Sequence, residues 1–198
     1  MRVLTGTAKG HHLKTPKSER TRPMLEKVRA SLFSVLEGFL GEFCGQVLDL
    51  YAGSGSLGIE ALSRRAEWAD FVEVNAGACR VIQENLEHTR LSSRGHVFHT
   101  RVHTFLHSEM HQGKKYDIIF LDPPYADPHI GETLAELAAS ALVHGGSLVA
   151  VHHAVPVELA EAYGPLNRLE CRRLGDSVFS IYGMPDWELV AGPAAEEE

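Results

Sequence analysis

From residue 45 onward, short apolar runs alternate with amphipathic stretches, and this alternation constrains the chain more than any other feature. Apolar runs of four to six residues without internal polar alternation suit strands buried on both faces, and amphipathic stretches between them suit crossover helices. The expected architecture is therefore α/β: a mostly parallel sheet with helices on both faces. Strands are expected at 47–50, 70–74, 96–99, 117–121 and 147–152, with helices at 57–65, 76–90, 102–111 and 131–143. Gly145-Gly146 reads as the stop after the last of these, because glycine tolerates the left-handed cap conformation. A short helix is expected at 156–163, then two closing runs at 169–174 and 177–182 around a Gly175-Asp176 hairpin turn, giving an antiparallel strand near the carboxyl terminus.

Upstream, Leu25, Val28, Leu32, Phe33, Val35, Leu36 and Phe39 recur near helical spacing, which predicts a helix over 23–40 with Pro23 in its first turn. The stretch before it, holding Gly6, Gly10 and Pro16, reads as a hairpin or extended arm. At 198 residues there is room for one domain and a small extension. The expected division is an amino-terminal hairpin-and-helix extension at 1–40, a main domain at 41–190 and a disordered acidic tail at 191–198. Cys44, Cys79 and Cys171 stand far apart with no CxxC spacing, which suits buried thiols in a reducing cytoplasm. No apolar run approaches a membrane span, and a monomer is expected.

The net charge of −7 argues by itself against a nucleic-acid partner, but its distribution reverses that inference. Residues 1–29 carry eight bases against two acids, a surplus of six, so the remainder carries thirteen net negative charges. A basic arm on an acidic body is what phosphate contacts concentrated at one end require. Arg2, Lys9, Lys14, Arg20, Arg22 and Arg29 are the candidate phosphate contacts. Removing residues 1–20 is expected to weaken nucleic-acid binding and spare whatever ligand the acidic body binds.

The first chemical motif runs from Val47 through Asp49-Leu50-Tyr51-Ala52-Gly53-Ser54-Gly55 to Gly58, a strand entering a glycine turn that opens a helix. Glycines let backbone approach a ligand closely, and a helix start offers free N–H groups. Gly53-x-Gly55-x-x-Gly58 is also the literal dinucleotide fingerprint, with Glu73 at the next strand end to hold ribose hydroxyls, so the motif alone leaves two cofactors open. Two features favour S-adenosylmethionine: Asp49, whose carboxylate can meet an ammonium, and the Asp122-Pro123-Pro124-Tyr125 loop after the fourth strand.

That loop is the strongest signal. An exocyclic base amine is a poor nucleophile because its lone pair is delocalised into the ring. Accepting hydrogen bonds from its two protons, at the Asp122 carboxylate and the Pro123 carbonyl, would turn the lone pair toward an electrophilic methyl. The prolines stiffen the loop, and Tyr125 can stack on a base withdrawn from its neighbours. His99, His103, His107 and His111 recur every four residues, yet without a nearby cysteine or a well-placed acid they read as a solvated face, and no metal is assigned. His152-His153 carries no interpretable signal.

The chain resembles the RsmD-type 16S ribosomal RNA guanine-N2 methyltransferases over nearly its whole length. The likeness rests on Arg2-Val3-Leu4-x-Gly6, Gly10-x-x-Leu13, Thr21-Arg22-Pro23, Val28-Arg29-x-x-Leu32-Phe33, Asp49 through Arg64, Phe71-Val72-Glu73, Asn85-Leu86 and Asp122-Pro123-Pro124-Tyr125. The arm joined to Gly58-Ile59-Glu60-Ala61-Leu62-Ser63-Arg64 makes it specific, while Met24, Ala30 and Arg101 depart from the usual pattern. The resemblance implies a Rossmann-like S-adenosylmethionine-dependent methyltransferase that modifies N2 of a guanine in 16S ribosomal RNA, within a partly assembled small subunit. It implies that Asp49, Ala52, Gly53, Gly55, Glu73 and Asp122 bind the cofactor and that Asp122, Pro123 and Tyr125 act on the guanine. The rival readings are an adenine-N6 methyltransferase, a nicotinamide dehydrogenase and a non-catalytic ribosome-assembly binder.

Overall fold

The computed structural model describes residues 1–16, 26–108, 113–124 and 127–184. The sequence readings for Arg20, Arg22, Met24, His111, Tyr125 and the acidic tail lie outside these residues. Five strands, β1 (Gln46–Leu50), β2 (Trp68–Glu73), β3 (Gly95–His99), β4 (Ile118–Leu121) and β5 (Leu148–Ala154), form the parallel part of one eight-stranded sheet. Helices α2 (Ser56–Ser63), α3 (Ala76–His88), α4 (Val102–Leu106) and α5 (Ile130–Ala139) lie between them, and α1 (Glu26–Leu40) precedes them. The order is β3-β2-β1-β4-β5-β8-β7-β6, with β6 (Ala162–Tyr163), β7 (Leu166–Leu174) and β8 (Ser177–Gly183) antiparallel.

Period-two alternation divides the strand side chains between two cores. Val47, Phe71, Ile118 and Phe120 face α1, α2 and α3, while Leu48, Leu50, Val72, Ile119 and Leu121 face α4 and α5. The expected Rossmann-like sheet is thus present with both faces covered. The closing hairpin turns at Gly175, whose φ of 67° suits glycine.

The arm is a closed loop bridged at Arg2 and His12, and it is built into the core. Val3, Ala8 and Leu13 are buried in the same cluster as the sheet face beneath α2. Glu60, completely buried on α2, accepts from the Leu4 and Thr5 amides at 2.7 and 3.0 Å. Ser63 accepts from Ala8 N at 2.9 Å and donates to Thr5 O at 2.5 Å. Gly6, with φ 83°, crosses Ser63 so closely that a Cβ would lie 1.8 Å from its carbonyl oxygen. Asn85 of α3 finishes the attachment, accepting from Lys14 N and donating to Lys14 O and Ser54 O. Deleting residues 1–20 would therefore strip core contacts next to the glycine turn, so that truncation should not spare cofactor binding as the sequence suggests, whereas substitutions of the exposed arm bases leave the core intact.

Three local expectations fail for identifiable reasons. Residues 156–163 are a turn and the β6 strand, because tyrosines satisfy the backbone there: Tyr182 donates to Ala160 O and Tyr163 accepts from Ala160 N. The α4 helix ends at Leu106, short of residue 111. The α5 helix stops at Ala139, where Ser140 turns extended and its hydroxyl bonds to Leu137 O, so Gly145-Gly146 forms the turn before β5 instead of the cap.

Candidate active site

The parallel register aligns Leu50 of β1 with Val72 of β2 on one side and Leu121 of β4 on the other. The carboxyl ends of the three strands, and with them Asp49, Glu73 and Asp122, therefore meet at one edge. This edge is the switch point of the sheet, where β1 is flanked by β2 and β4 and open α/β sheets form their ligand crevice.

Asp49 is buried beneath the glycine turn. Its Oδ2 accepts from Gly58 N at 2.9 Å, while Oδ1 is buried with no hydrogen-bond partner. Burial pushes this carboxyl well above the usual carboxylate range, and the charges of Asp122 and Glu73 add to the push. An unpartnered buried acceptor in such a field suits a cationic group of a ligand. Gly58 is glycine for a steric reason: a Cβ there would meet the buried Phe71 ring at 2.3 Å. Ala52, buried, anchors the turn by donating to Val72 O at 3.0 Å and accepting from Gly55 N at 2.6 Å.

Glu73 spans the turn and the next helix start. Its Oε2 accepts from Gly53 N at 2.9 Å and its Oε1 from Asn75 N at 2.7 Å. Each carboxylate oxygen retains acceptor capacity for a hydroxyl. Beyond it, Val74 is the one large hydrophobic residue exposed among the described residues, at 58%. Tyr51 takes a left-handed φ of 63° and ties the turn to α5 through a 3.2 Å hydroxyl bond with Thr133. Burial raises its phenol above the ordinary range, with the charges of Asp127 and Glu136 contributing.

Asp122 follows β4, half-buried, with its amide 3.4 Å from Leu50 O. Its Oδ1 lies 2.7 Å from Nδ1 of His152, near the end of β5. A carboxylate only accepts, so Nδ1 carries the proton and donates it. The other ring nitrogen, Nε2, is buried without a partner. His152 thus ties one oxygen of the Asp122 carboxylate to β5. Sequence reading missed this residue, because only the β4–β5 pairing brings the two side chains together. Pro123 is half-buried and Pro124 exposed.

The candidate phosphate contacts separate. Arg2, Lys9 and Lys14 are exposed, Arg2 lying 3.4 Å from Glu26 and Lys14 2.8 Å from Glu84. Arg29 is completely buried and donates to the Arg2 carbonyl, and burial lowers its pKa. It is therefore a packing and tethering residue of α1 and not a surface contact for phosphate.

Residues 1–183 match the model of a family described as Conserved hypothetical protein 95. Among similar proteins, YlbH of Bacillus subtilis (strain 168) is 32% identical over 182 residues, 92% of this chain and 98% of that one. Ribosomal RNA small subunit methyltransferase D of Haemophilus influenzae is 35% identical over 143 residues, 72% of this chain and 70% of its own length. A solved structure, hypothetical protein TTHA0928 of Thermus thermophilus, superposes with a TM-score of 0.80 at 32% identity, covering 93% of this chain and 99% of that one. The chain belongs to the Conserved hypothetical protein 95 family, as an RsmD-type methyltransferase.

Proposed function

We propose that the chain transfers a methyl group from S-adenosylmethionine to the exocyclic N2 amine of a guanine in small-subunit ribosomal RNA. The family supports methyl transfer to ribosomal RNA, and the observation that carries the reading to individual residues is the meeting of Asp49, Glu73 and Asp122 at one sheet edge. In this reading the unpartnered Asp49 Oδ1 receives the cofactor's ammonium, Ala52, Gly53 and Gly55 shape the turn around its methionine portion, and Glu73 accepts from its ribose hydroxyls. The cofactor supplies the electrophilic methyl. Asp122 and the Pro123 carbonyl accept from the amine protons and point the nitrogen lone pair along the transfer direction, and Asp122 stabilises the positive charge that develops there. Tyr125 stacks on the base.

Methylation of immature small subunits by labelled S-adenosylmethionine, with nucleoside analysis of the product, tests the reading directly. N2-methylguanosine supports it; N6-methyladenosine, or labelling of DNA instead, overturns it. Glu73→Ala should weaken cofactor binding at least roughly tenfold by calorimetry, since a hydroxyl hydrogen bond to a carboxylate contributes about 1.5 kcal/mol or more and a tenfold change in affinity is about 1.4 kcal/mol. An unchanged dissociation constant would remove Glu73 from the cofactor site.

The arm supplies phosphate contacts through Arg2, Lys9 and Lys14. RNA affinity should fall steeply with salt, and Lys9→Ala and Lys14→Ala should each reduce the slope of log affinity against log salt by about one. The exposed Lys14–Glu84 pair is worth at most about 1 kcal/mol and yields readily to a phosphate. Slopes equal to that of the unsubstituted protein would place the RNA elsewhere.

A further inference from the structure

The histidine series lacks, in sequence, a well-placed acid to complete a metal site; the fold supplies one. His103 lies on α4 and His107, four residues on, is the cap at its carboxyl end, both on the side opposite the buried Val102 and Phe105. The α5 helix packs alongside and brings Glu136 to them: its two carboxylate oxygens lie 3.1 and 2.9 Å from His103 Nδ1. The two imidazole rings stand 4.3 Å apart, and one ligand atom from each of the three residues lies within 4.8 Å of the others.

We propose that His103, His107 and Glu136 form a binding site for one divalent cation of the zinc class. Two imidazoles and a carboxylate are a zinc donor set, and water completes a tetrahedron around it. His107 is already oriented for the role. Its Nδ1 lies 2.9 Å from the His103 backbone oxygen, an acceptor, so Nδ1 carries the proton and Nε2 is left with its lone pair outward. The separation of His103 Nδ1 from Glu136 is close to the spacing of adjacent ligands around a tetrahedral zinc ion, about 3.3 Å from bond lengths near 2.0 Å. A cation there takes the place of the hydrogen bond between the two groups. The surplus of thirteen negative charges over residues 30–198 favours a cation on this body.

Both histidines are exposed and Glu136 is half-buried, so the site needs only side-chain adjustment to close to ligand distances. Occupancy would tie α4 to α5, two helices joined to the strands that end at Glu73's neighbour β3 and at Asp122's β4. The three ligands would hold a cation whatever reaction the chain catalyses.

The test is calorimetric titration of the untagged, metal-stripped protein with zinc chloride in a buffer that does not chelate. One zinc ion per chain is expected, with binding weakened at least about tenfold by either His107→Ala or Glu136→Gln, and unchanged by Cys44→Ser or Cys171→Ser. Cobalt(II) should give the visible absorption of a nitrogen-and-oxygen tetrahedral site, absent in His107→Ala. Absence of saturable binding overturns the proposal. So does stoichiometric binding that survives in both variants, or that disappears only with the cysteines. Circular dichroism of the two metal-free variants, expected to match the unsubstituted protein, separates loss of ligands from loss of fold.

Discussion

Asp122→Ala should bind S-adenosylmethionine almost normally while transferring methyl at least about a hundredfold more slowly, the usual cost of losing a preorganised group at a developing charge. The interaction strengthens as the methyl arrives, so turnover suffers and ground-state binding does not. Asp122→Asn should be milder, because its amide oxygen still accepts. His152 adds a second arm to this experiment. Its Nδ1–H bond to Asp122, 2.7 Å long, is a charge-assisted one, worth about 1.5 kcal/mol or roughly tenfold in rate if it holds the carboxylate in its working plane. His152→Ala should therefore slow transfer about tenfold, with unchanged cofactor affinity. His152→Asn, which keeps a donor near the Nδ1 position, should recover most of that loss.

The double variant Asp122→Ala, His152→Ala separates the two roles. If His152 works through Asp122, its cost vanishes once the carboxylate is gone. Single-turnover rates at saturating cofactor and RNA decide the matter. A near-normal rate for Asp122→Ala would end the mechanism given above, whatever His152 does. A large effect at Asp122 with none at His152, or with additive effects in the double variant, would leave the mechanism and remove the positioning role.

The second large effect is structural. Glu60→Ala should destabilise the protein by about 3–5 kcal/mol, because it strands partners in the interior. The Leu4 and Thr5 amides lose their acceptor, and Arg64, whose side chain is 8% exposed, loses its 2.9 Å bond to Glu60 and keeps, among the described residues, Glu37 at 2.5 Å, Thr5 and the face of the Phe33 ring. A shift of the thermal midpoint on the order of 10 °C follows for a chain of this size. Glu60→Gln should be milder, retaining one acceptor oxygen. Urea unfolding measures the loss, and amide exchange at Leu4 and Thr5 should accelerate. A loss below about 1 kcal/mol would mean that the arm is held by its other contacts, the buried Val3, Ala8 and Leu13 and the Ser63 and Asn85 hydrogen bonds, and not by the carboxylate.

Sequence alone determined the parallel core and which residues stand at the carboxyl ends of its central strands. Apolar runs of strand length, separated by helical-period stretches, permit few arrangements other than a covered parallel sheet, since the backbone hydrogen bonds and the apolar faces must both be satisfied. The glycine turn and the Asp122 loop are contiguous, so their local geometry is written in neighbouring residues. What is assembled from distant residues was invisible there. Residue type marked Arg29 as a phosphate contact, yet its place on the inner face of α1 buries it completely. The spacing of His103 and His107 was plain, but Glu136 stands about thirty residues away and reaches them only because α4 and α5 lie side by side. His152 is silent in sequence because its meaning lies in the 2.7 Å bond to Asp122, which exists only when β5 pairs with β4. The basic arm read as an appendage because charge is legible residue by residue, whereas its attachment depends on a buried carboxylate of α2 meeting two arm amides some 55 positions away. Local backbone preference and periodicity are short-range properties that a sequence displays directly. Burial and pairing across the sheet are consequences of how the chain closes on itself, and those only the tertiary structure decided.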